Sequence, residues 1–261
     1  MYYYIFDIKK CKKRSLVDDI KNYLSTLGIS GEFAYPSAAY TTEELVDLGL
    51  SKKYNTIVGI GGDEIANKIA AKLCGQSAAL GLIPLEASSD LEDLIGAKSW
   101  KEAAENLRFR KISEIKIGKT ANGNAFLTNL TLDLKIPTEV TIEFKDFLVQ
   151  AKASSLTISN FNPAVEKIGP DYLDLVLESV DPRETAIFSR ISSFFGRTKS
   201  ENINLSLFRG RSLRLFTNSQ VPLIAGGEVI AKTPQLIESS DENLRLIVGK
   251  KSLYKCPVDP S

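Results

Sequence analysis

The sequence predicts an α/β fold in which an N-terminal domain built around a parallel sheet is followed by an antiparallel β-sandwich domain. Over the first hundred residues, short apolar runs alternate with amphipathic helical patterns, which is typical of βαβ units. Past about residue 105 the helical periodicity stops, and segments of alternating apolar and polar residues take over. We therefore expect one domain over residues 1–105 and another over residues 106–261.

Four short apolar runs in the first half are predicted to be strands, each followed by a helix. The runs are Tyr2–Phe6, Gly31–Tyr35, Thr56–Ile60 and Leu80–Leu85. Gly28 is placed to end the first helix. Thr41 and Glu44 form a capping-box pair at the start of the second helix, and Ser89 and Glu92 form a similar pair at the start of the fourth.

The second half is predicted to consist of strands. The dipeptide Asn122-Gly123 favours a tight hairpin turn, because both residues tolerate positive φ angles. Such a series of strands is typical of a sandwich or barrel. The predicted strands are Ile112–Gly118, Ala125–Leu134, Val140–Phe144, Phe147–Ala151, Leu156–Ser159, Leu173–Leu177, Ile203–Phe208, Arg211–Phe216 and Val229–Lys232.

The composition excludes several kinds of chemistry. There is no histidine, which rules out Ser-His-Asp and Cys-His nucleophile systems and every histidine-containing metal site. The 33 Lys+Arg balance 32 Asp+Glu, so we expect no nucleic-acid partner. A short apolar start is followed, not preceded, by the basic run from Lys9 to Arg14, which does not fit a signal peptide. We therefore expect a cytoplasmic protein.

A glycine pair lies between the third predicted strand and the helix that follows it. Gly61 and Gly62 would leave backbone N–H groups and the positive end of a helix dipole at the carboxyl edge of the sheet. Phosphate is the natural ligand for such a turn. The alternative is that the two glycines only form a tight turn while Asp63 caps the helix.

Three segments resemble a known family. Residues 61–67, Gly-Gly-Asp-Glu-Ile-Ala-Asn, resemble the Gly-Gly-Asp-Gly-Thr-x-Asn signature of the diacylglycerol kinase catalytic domain family, which includes bacterial lipid kinases and sphingosine kinases. Leu80–Leu85 is similar to the strand that precedes the family's Gly-Thr-Gly-Asn-Asp loop. Gly226-Gly227-Glu228 lies where these enzymes carry Asp-Gly-Glu.

This resemblance implies an ATP-dependent lipid kinase. The first domain would bind the nucleotide, the second would bind a lipid alcohol, and ATP with Mg²⁺ would meet the lipid in the cleft between them. Asp63 would orient Mg²⁺ or the acceptor, Asn67 would steady the helix start, and Glu228 would act as general base. The implied nucleotide-binding residues are Gly61, Gly62, Asp63, Asn67 and Glu86. A membrane contact, if the acceptor lies in a bilayer, is expected to be weak and peripheral because the protein has no basic excess.

The departures from the family pattern favour a second hypothesis. Glu64 and Ile65 replace the Gly-Thr of the first loop, residues 86–89 replace Gly-Thr-Gly-Asn of the second, and Gly226 replaces the Asp of Asp-Gly-Glu. The alternative is therefore a catalytically impaired pseudokinase that senses a nucleotide or a lipid. An NAD kinase, which shares the Gly-Gly-Asp start, is a weaker third possibility.

Overall fold

The structure, a computed structural model, describes residues 1–7, 9–11, 13–161, 171–180, 186–188 and 204–254. These residues form one sheet of six strands and another of twelve. The predicted fold class is confirmed, because the first sheet is mostly parallel and packed with helices and the second is antiparallel. Among the described residues, no helix has the length and apolar character needed to cross a membrane.

Strands and helices alternate in the first half as far as the fourth helix, which is followed directly by the fifth, and the elements described in the second half are strands. The first half contains β1 (Tyr2–Phe6), α1 (Arg14–Thr26), β2 (Gly31–Ala34), α2 (Thr42–Ser51), β3 (Thr56–Gly61), α3 (Asp63–Leu73), β4 (Ala79–Pro84), α4 (Ser89–Ile95), α5 (Trp100–Phe109) and β5 (Ile112–Ile115). The second half contains β6 (Gly118–Thr120), β7 (Ala125–Phe126), β8 (Asn129–Leu132), β9 (Thr138–Phe144), β10 (Leu148–Ser159), β11 (Leu173–Ser179), β12 (Ala186–Phe188), β13 (Asn204–Gly210), β14 (Ser212–Thr217), β15 (Pro222–Ala225), β16 (Glu228–Lys232), β17 (Gln235–Ser239) and β18 (Leu244–Ile247).

The first sheet has the strand order β2-β1-β3-β4-β18-β5, and all its pairs are parallel except β18 with β5. Every residue of β3 and β4 is buried, as expected for central strands of a parallel sheet that is covered on both faces. The pairs Phe6 with Ile60 and Gly61 with Pro84 align the carboxyl ends of β1, β3 and β4 at one edge. The loops that follow these three strands therefore lie side by side.

Two segments beyond the predicted boundary at residues 105 and 106 belong to the first sheet. Helix α5 crosses that boundary, β5 pairs with β18, and β18 returns from the far end of the second half to pair with β4. The physical reason for this return is that the backbone N–H and C=O groups along one edge of β4 need hydrogen-bond partners, which another strand supplies. The sequence pattern changes near residue 105 because the helices end there, whereas the sheet is completed only by β18.

Strand β10 organises the second sheet. Its first half pairs with β9 and β12, and its second half pairs with β8 and β11. The prediction of separate strands at Phe147–Ala151 and Leu156–Ser159 was wrong, because the burial alternation continues through Ala153 and only a bulge before Ser155 interrupts the ladder. The short strands β12, β15, β17 and β18 were not predicted. Strand β13 matches the predicted strand 203–208 from residue 204 onward, and Ile203 lies outside the described residues.

Hydrogen bonds on α3 and α4 connect the two sheets. The side-chain oxygen of Asn67, buried on α3, accepts a hydrogen bond from the backbone N–H of Leu127 at 2.9 Å. Leu127 follows the hairpin between β6 and β7, whose predicted turn is confirmed by a φ of +84° at Gly123. On α4, Asp90 accepts a hydrogen bond from the side chain of Asn129. The second sheet is thus docked on the helix that begins at the glycine pair.

Replacing Asn67 with alanine is expected to lower the free energy of unfolding by about 1–3 kcal/mol, because the buried N–H of Leu127 loses its partner. Urea denaturation followed by circular dichroism measures this. The matched control is Asn218→Ala, since the exposed Asn218 side chain donates to Glu139 at 3.0 Å. This control is expected to change stability by less than about 0.5 kcal/mol. An equal loss in both variants would contradict the role of Asn67.

Candidate functional site

The glycine pair forms the turn between β3 and α3. Gly62 is the N-cap of α3, and the backbone N–H of Leu85 donates to the carbonyl oxygen of Gly61 at 2.8 Å. A Cβ atom on Gly61 would lie 2.4 Å from the Cβ of Asp7, in the loop after β1. Glycine at position 61 is therefore required by packing between neighbouring loops, whatever ligand the turn binds.

Asp63 connects the first loop to the second. Its carboxylate accepts two hydrogen bonds from Ser88, from the backbone N–H at 2.8 Å and from the hydroxyl at 2.6 Å. The alternative in which Asp63 caps α3 was wrong, because Gly62 holds the N-cap position. The predicted cap of α4 at Ser89 was also wrong by one residue, since the Ser88 hydroxyl accepts from the N–H of Leu91. Asp63 and Ser88 thus hold the two loops together.

Two lysines and two glutamates form an ion-pair network beside the glycine turn. Glu64, in the first turn of α3, accepts from Lys68 one helical turn later at 2.8 Å and from Lys9 at 3.0 Å. Glu228 contacts the same ammonium groups, Lys68 at 3.0 Å and Lys9 at 3.4 Å. We define Lys9, Glu64, Lys68 and Glu228 as the four-residue network. It joins the loop after β1, helix α3 and the second sheet.

The charges in the network stabilise one another. Burial disfavours the ionised carboxylate of Glu64, but the hydrogen bonds from Lys68 and Lys9 outweigh it and lower its pKa to about 2. Burial also disfavours the ammonium of Lys68, yet its hydrogen bonds to Glu64 and Glu228 raise its pKa above the ordinary value. The hydrogen bond to Glu64 raises the pKa of Lys9 as well. All three side chains are therefore charged near neutral pH.

A glycine turn from the second sheet brings Glu228 to the start of α3. Gly226 and Gly227 have φ angles of +61° and +83°, which favour glycine. A Cβ atom on Gly226 would lie 2.8 Å from the backbone nitrogen of Glu64 and 2.9 Å from the carbonyl carbon of Asp63. The turn therefore packs directly on the first turn of α3, which explains why glycine occupies position 226.

The remaining predicted site residues have different surroundings. Glu86 adopts a left-handed backbone conformation with a φ of +51°, and its exposed carboxylate contacts Lys10 at 2.9 Å. Asn67 does not steady the helix start, because its side chain is turned to Leu127 in the second sheet. Gly61, Gly62, Asp63, Glu86 and Glu228 do come together at the sheet edge.

Sequence reasoning underestimated the lysines. Of the basic run from Lys9 to Arg14, Lys9 and Lys10 lie among the site carboxylates, while Lys12 lies outside the described residues. Their position directly after β1 was the available signal, because that loop ends at the same sheet edge. Lys68 was missed, although its spacing of four residues from Glu64 is typical of a helical ion pair.

A cavity of about 280 Å³ lies beside the network, between α3 and two segments of the second sheet. Charged and apolar residues both line it. The charged residues are Glu43, Glu64, Lys68, Lys72 and Glu228, and the apolar residues are Ala71, Ala125, Ala225, Val229 and Ile230. A larger cavity of about 370 Å³ surrounds Arg211 and Glu238 in the second sheet and contains none of the predicted site residues.

Comparisons with known proteins agree with this architecture. No protein-family model matches the sequence, and no curated protein is significantly similar to it. A solved diacylglycerol kinase structure from Bacillus anthracis str. Sterne matches with a TM-score of 0.72 and 14% identity, over 96% of this chain and 97% of that chain. A proposed diacylglycerol kinase from the same strain matches with a TM-score of 0.74 and 15% identity, over 95% of this chain and 97% of the other. The chain therefore has the fold of these proteins, which confirms the resemblance at the level of the fold.

Acid is expected to destabilise the protein partly through Glu64. Because the pKa of Glu64 is lower in the folded state, its stabilising contribution is complete above the ordinary value of 4.5 and is lost as the pH falls towards about 2. After screening by water, we expect this contribution to be about 1 kcal/mol. Urea denaturation across this pH range measures it. The variant Glu64→Gln should lose less stability on acidification than the wild type, and parallel pH profiles would contradict the assignment.

The close packing of the second-sheet turn is tested by a pair of glycine variants. Both Gly226→Ala and Gly227→Ala introduce a Cβ atom at a positive φ, but only position 226 lacks space for it. We expect Gly227→Ala to cost about 1 kcal/mol of strain and Gly226→Ala about 1–3 kcal/mol more, because the added methyl group overpacks the contact with α3. Thermal denaturation compares the two. Equal losses would show that the turn does not press on α3.

Proposed function

We propose that this protein is an ATP-dependent lipid kinase, which transfers the γ-phosphate of ATP to the hydroxyl group of a lipid or lipid-like alcohol. The observation that carries this proposal is the contact between the Gly226-Gly227-Glu228 turn and the start of α3. This contact brings the Gly226-Gly227 turn and the carboxylate of Glu228 to the start of α3, in the cleft between the two sheets. The shared fold with diacylglycerol kinases supports the same reaction class.

The first sheet would bind the nucleotide. The backbone at Gly61 and Gly62 and the N-terminus of α3 would receive the phosphates, because unpaired N–H groups and the helix dipole favour anions. Lys9, Lys10 and Lys68 lie around this turn and would supply positive charge. Each of them now contacts a carboxylate, so the phosphates would have to take over those contacts.

The second sheet would supply the acceptor site. The acceptor hydroxyl would lie near Glu228, whose carboxylate takes the hydroxyl proton. The acceptor oxygen then forms a bond to the γ-phosphorus, the bond from that phosphorus to the bridging oxygen of ATP breaks, and ADP leaves with the electron pair. Asp63, bound to Ser88, would hold the two loops in place during this transfer. No histidine is needed for any of these steps.

Magnesium would enter this site with ATP and not through a site formed by the protein alone. Among the described residues, no group of three or more His, Cys, Asp or Glu side chains is arranged to hold a metal ion. Asp63 accepts hydrogen bonds from Ser88, and Glu64 and Glu228 accept from lysines. The carboxylates present therefore do not fit a metal site of their own, although Mg²⁺ commonly binds mainly through substrate phosphates.

The cavity beside Glu228 supports a lipid acceptor that is bound by its polar end. A volume of about 280 Å³ is at the small end of ligand pockets and suits a head group better than whole acyl chains. Val229, on the cavity wall, is 55% exposed and offers an apolar surface to the rest of the lipid. Such a protein would work in the cytoplasm and would contact the membrane weakly, through the surface around Val229.

A second candidate is a pseudokinase that binds a nucleotide or a lipid without transferring phosphate. The specific observation in its favour is the four-residue network, in which Lys9 and Lys68 already contact Glu64 and Glu228. A phosphate and a carboxylate cannot both take the same donor hydrogens.

An assay with γ-labelled ATP, Mg²⁺ and vesicles that contain diacylglycerol separates the two candidates. The kinase proposal expects labelled lipid, and Glu228→Gln should lower the rate by about 10²-fold or more, because a general base contributes at least that factor. Glu143→Gln is the control. Glu143 lies on β9 and pairs with Arg214 at 3.8 Å, and β9 contributes no residue to the lining of the cavity beside Glu228. ATP binding without labelled product, over a full lipid extract, would contradict the kinase and support the pseudokinase.

A further inference from the structure

Glu64 occupies the ammonium groups that a bound phosphate would need. Its carboxylate lies 2.8 Å from the Nζ of Lys68 and 3.0 Å from the Nζ of Lys9. These lysines flank the first turn of α3, directly after the glycine pair. The carboxylate of Glu64 is therefore an anion of the protein itself, at the position where the phosphates of the proposed nucleotide would bind.

We propose that Glu64 is a specificity-determining residue that competes with the phosphates of the nucleotide for Lys9 and Lys68. This inference rests on the proposed function, because it assumes that the phosphates bind at the glycine turn. A nucleotide whose phosphates take over these N–H donors then draws at least one of the two lysines away from Glu64. The penalty grows with the number of negative charges on the nucleotide, since Glu64 and Glu228 both repel them.

The two lysines differ in how easily they are released. The side chain of Lys9 is 68% exposed and belongs to a loop, so it can move to a phosphate. Lys68 is less exposed and is paired with Glu64 one turn away on the same helix. Both lysines also contact Glu228, Lys68 at 3.0 Å and Lys9 at 3.4 Å, so each would keep one carboxylate partner if Glu64 were removed.

Glu64 itself has little freedom to move aside. Its side chain is 22% exposed, and its backbone nitrogen lies under the Gly226 turn. The low pKa of Glu64, about 2, keeps the carboxylate ionised at any pH at which the protein would bind a nucleotide. Protonation therefore does not relieve the competition, whereas removal of the carboxylate does.

Isothermal calorimetry of the full chain with adenosine, ADP and ATP, each with Mg²⁺, tests the proposal. The variants are Glu64→Gln, which keeps the shape and removes the charge, and Glu64→Gly, which removes the side chain. The control is Glu32→Gln, because Glu32 also accepts from a lysine, Lys52 at 2.6 Å, and lies in β2, whose pairing partner is β1 and not β3. Thermal denaturation checks that each variant is folded, and if only one of the two Glu64 variants folds, the test is made with that variant.

The expected result is a graded gain in affinity. Glu64→Gln should bind ATP about tenfold more tightly than the wild type, as expected for one partly screened charge near a triphosphate. The gain should be smaller for ADP and absent for adenosine, and Glu32→Gln should match the wild type with all three ligands.

Three results would overturn the proposal, and they differ in what they say about the proposed function. If the wild type and the Glu64 variants bind ATP with the same affinity, the competition is disproved while nucleotide binding stands. If neither the wild type nor any Glu64 variant binds ATP, the competition and the proposed function both fail. A gain of equal size for adenosine and ATP would also overturn it, because the effect would then not depend on phosphate charge.

Discussion

The close approach of a glycine turn to the start of helix α3 is the contact on which the rest of the candidate site depends. Gly226 has no room for a side chain, since a Cβ atom there would lie 2.8 Å from the nitrogen of Glu64. The hydrogen bond from Leu127 to Asn67 fixes the same helix to the second sheet less than two turns further along. Helix α3 is thus a shared element, and residues far apart in sequence meet because both sheets are packed against it.

The charges at this junction are balanced by the protein itself. Lysines and glutamates alternate in the four-residue network, and Lys10 pairs with Glu86 in the neighbouring loop. A site for highly charged phosphates normally carries an excess of positive groups that the ligand neutralises. Here the neutralising groups are part of the chain, so the fold shared with the diacylglycerol kinase structures is combined with sheet-edge loops whose charges are already balanced.

Local signals in the sequence predicted much of the fold. The apolar runs of β1, β3 and β4 were predicted within one or two residues, and the capping box of Thr41 and Glu44 is present in the structure. These features depend on neighbouring residues in the chain. The pairing of β18 with β4 depends on an edge more than 150 residues away, which periodicity does not report.

The site follows the same rule: the glycine pair was found from its local pattern, and the proximity of Glu228 was inferred from a family resemblance. The contact of Lys9 with Glu64 and the bond of Asp63 to Ser88 were missed, because only the folded chain brings those side chains together.

The return of β18 to the first sheet has a consequence for the order of assembly. During synthesis, β1 to β4 leave the ribosome long before the strand that covers the edge of β4. The second sheet is made in between, so the first sheet stays incomplete until nearly all the described residues have been translated. A fragment that stops after α5 would keep that edge open to pairing with other chains. The first sheet is therefore completed only when β18 pairs with β4, after the whole of the second sheet has been translated.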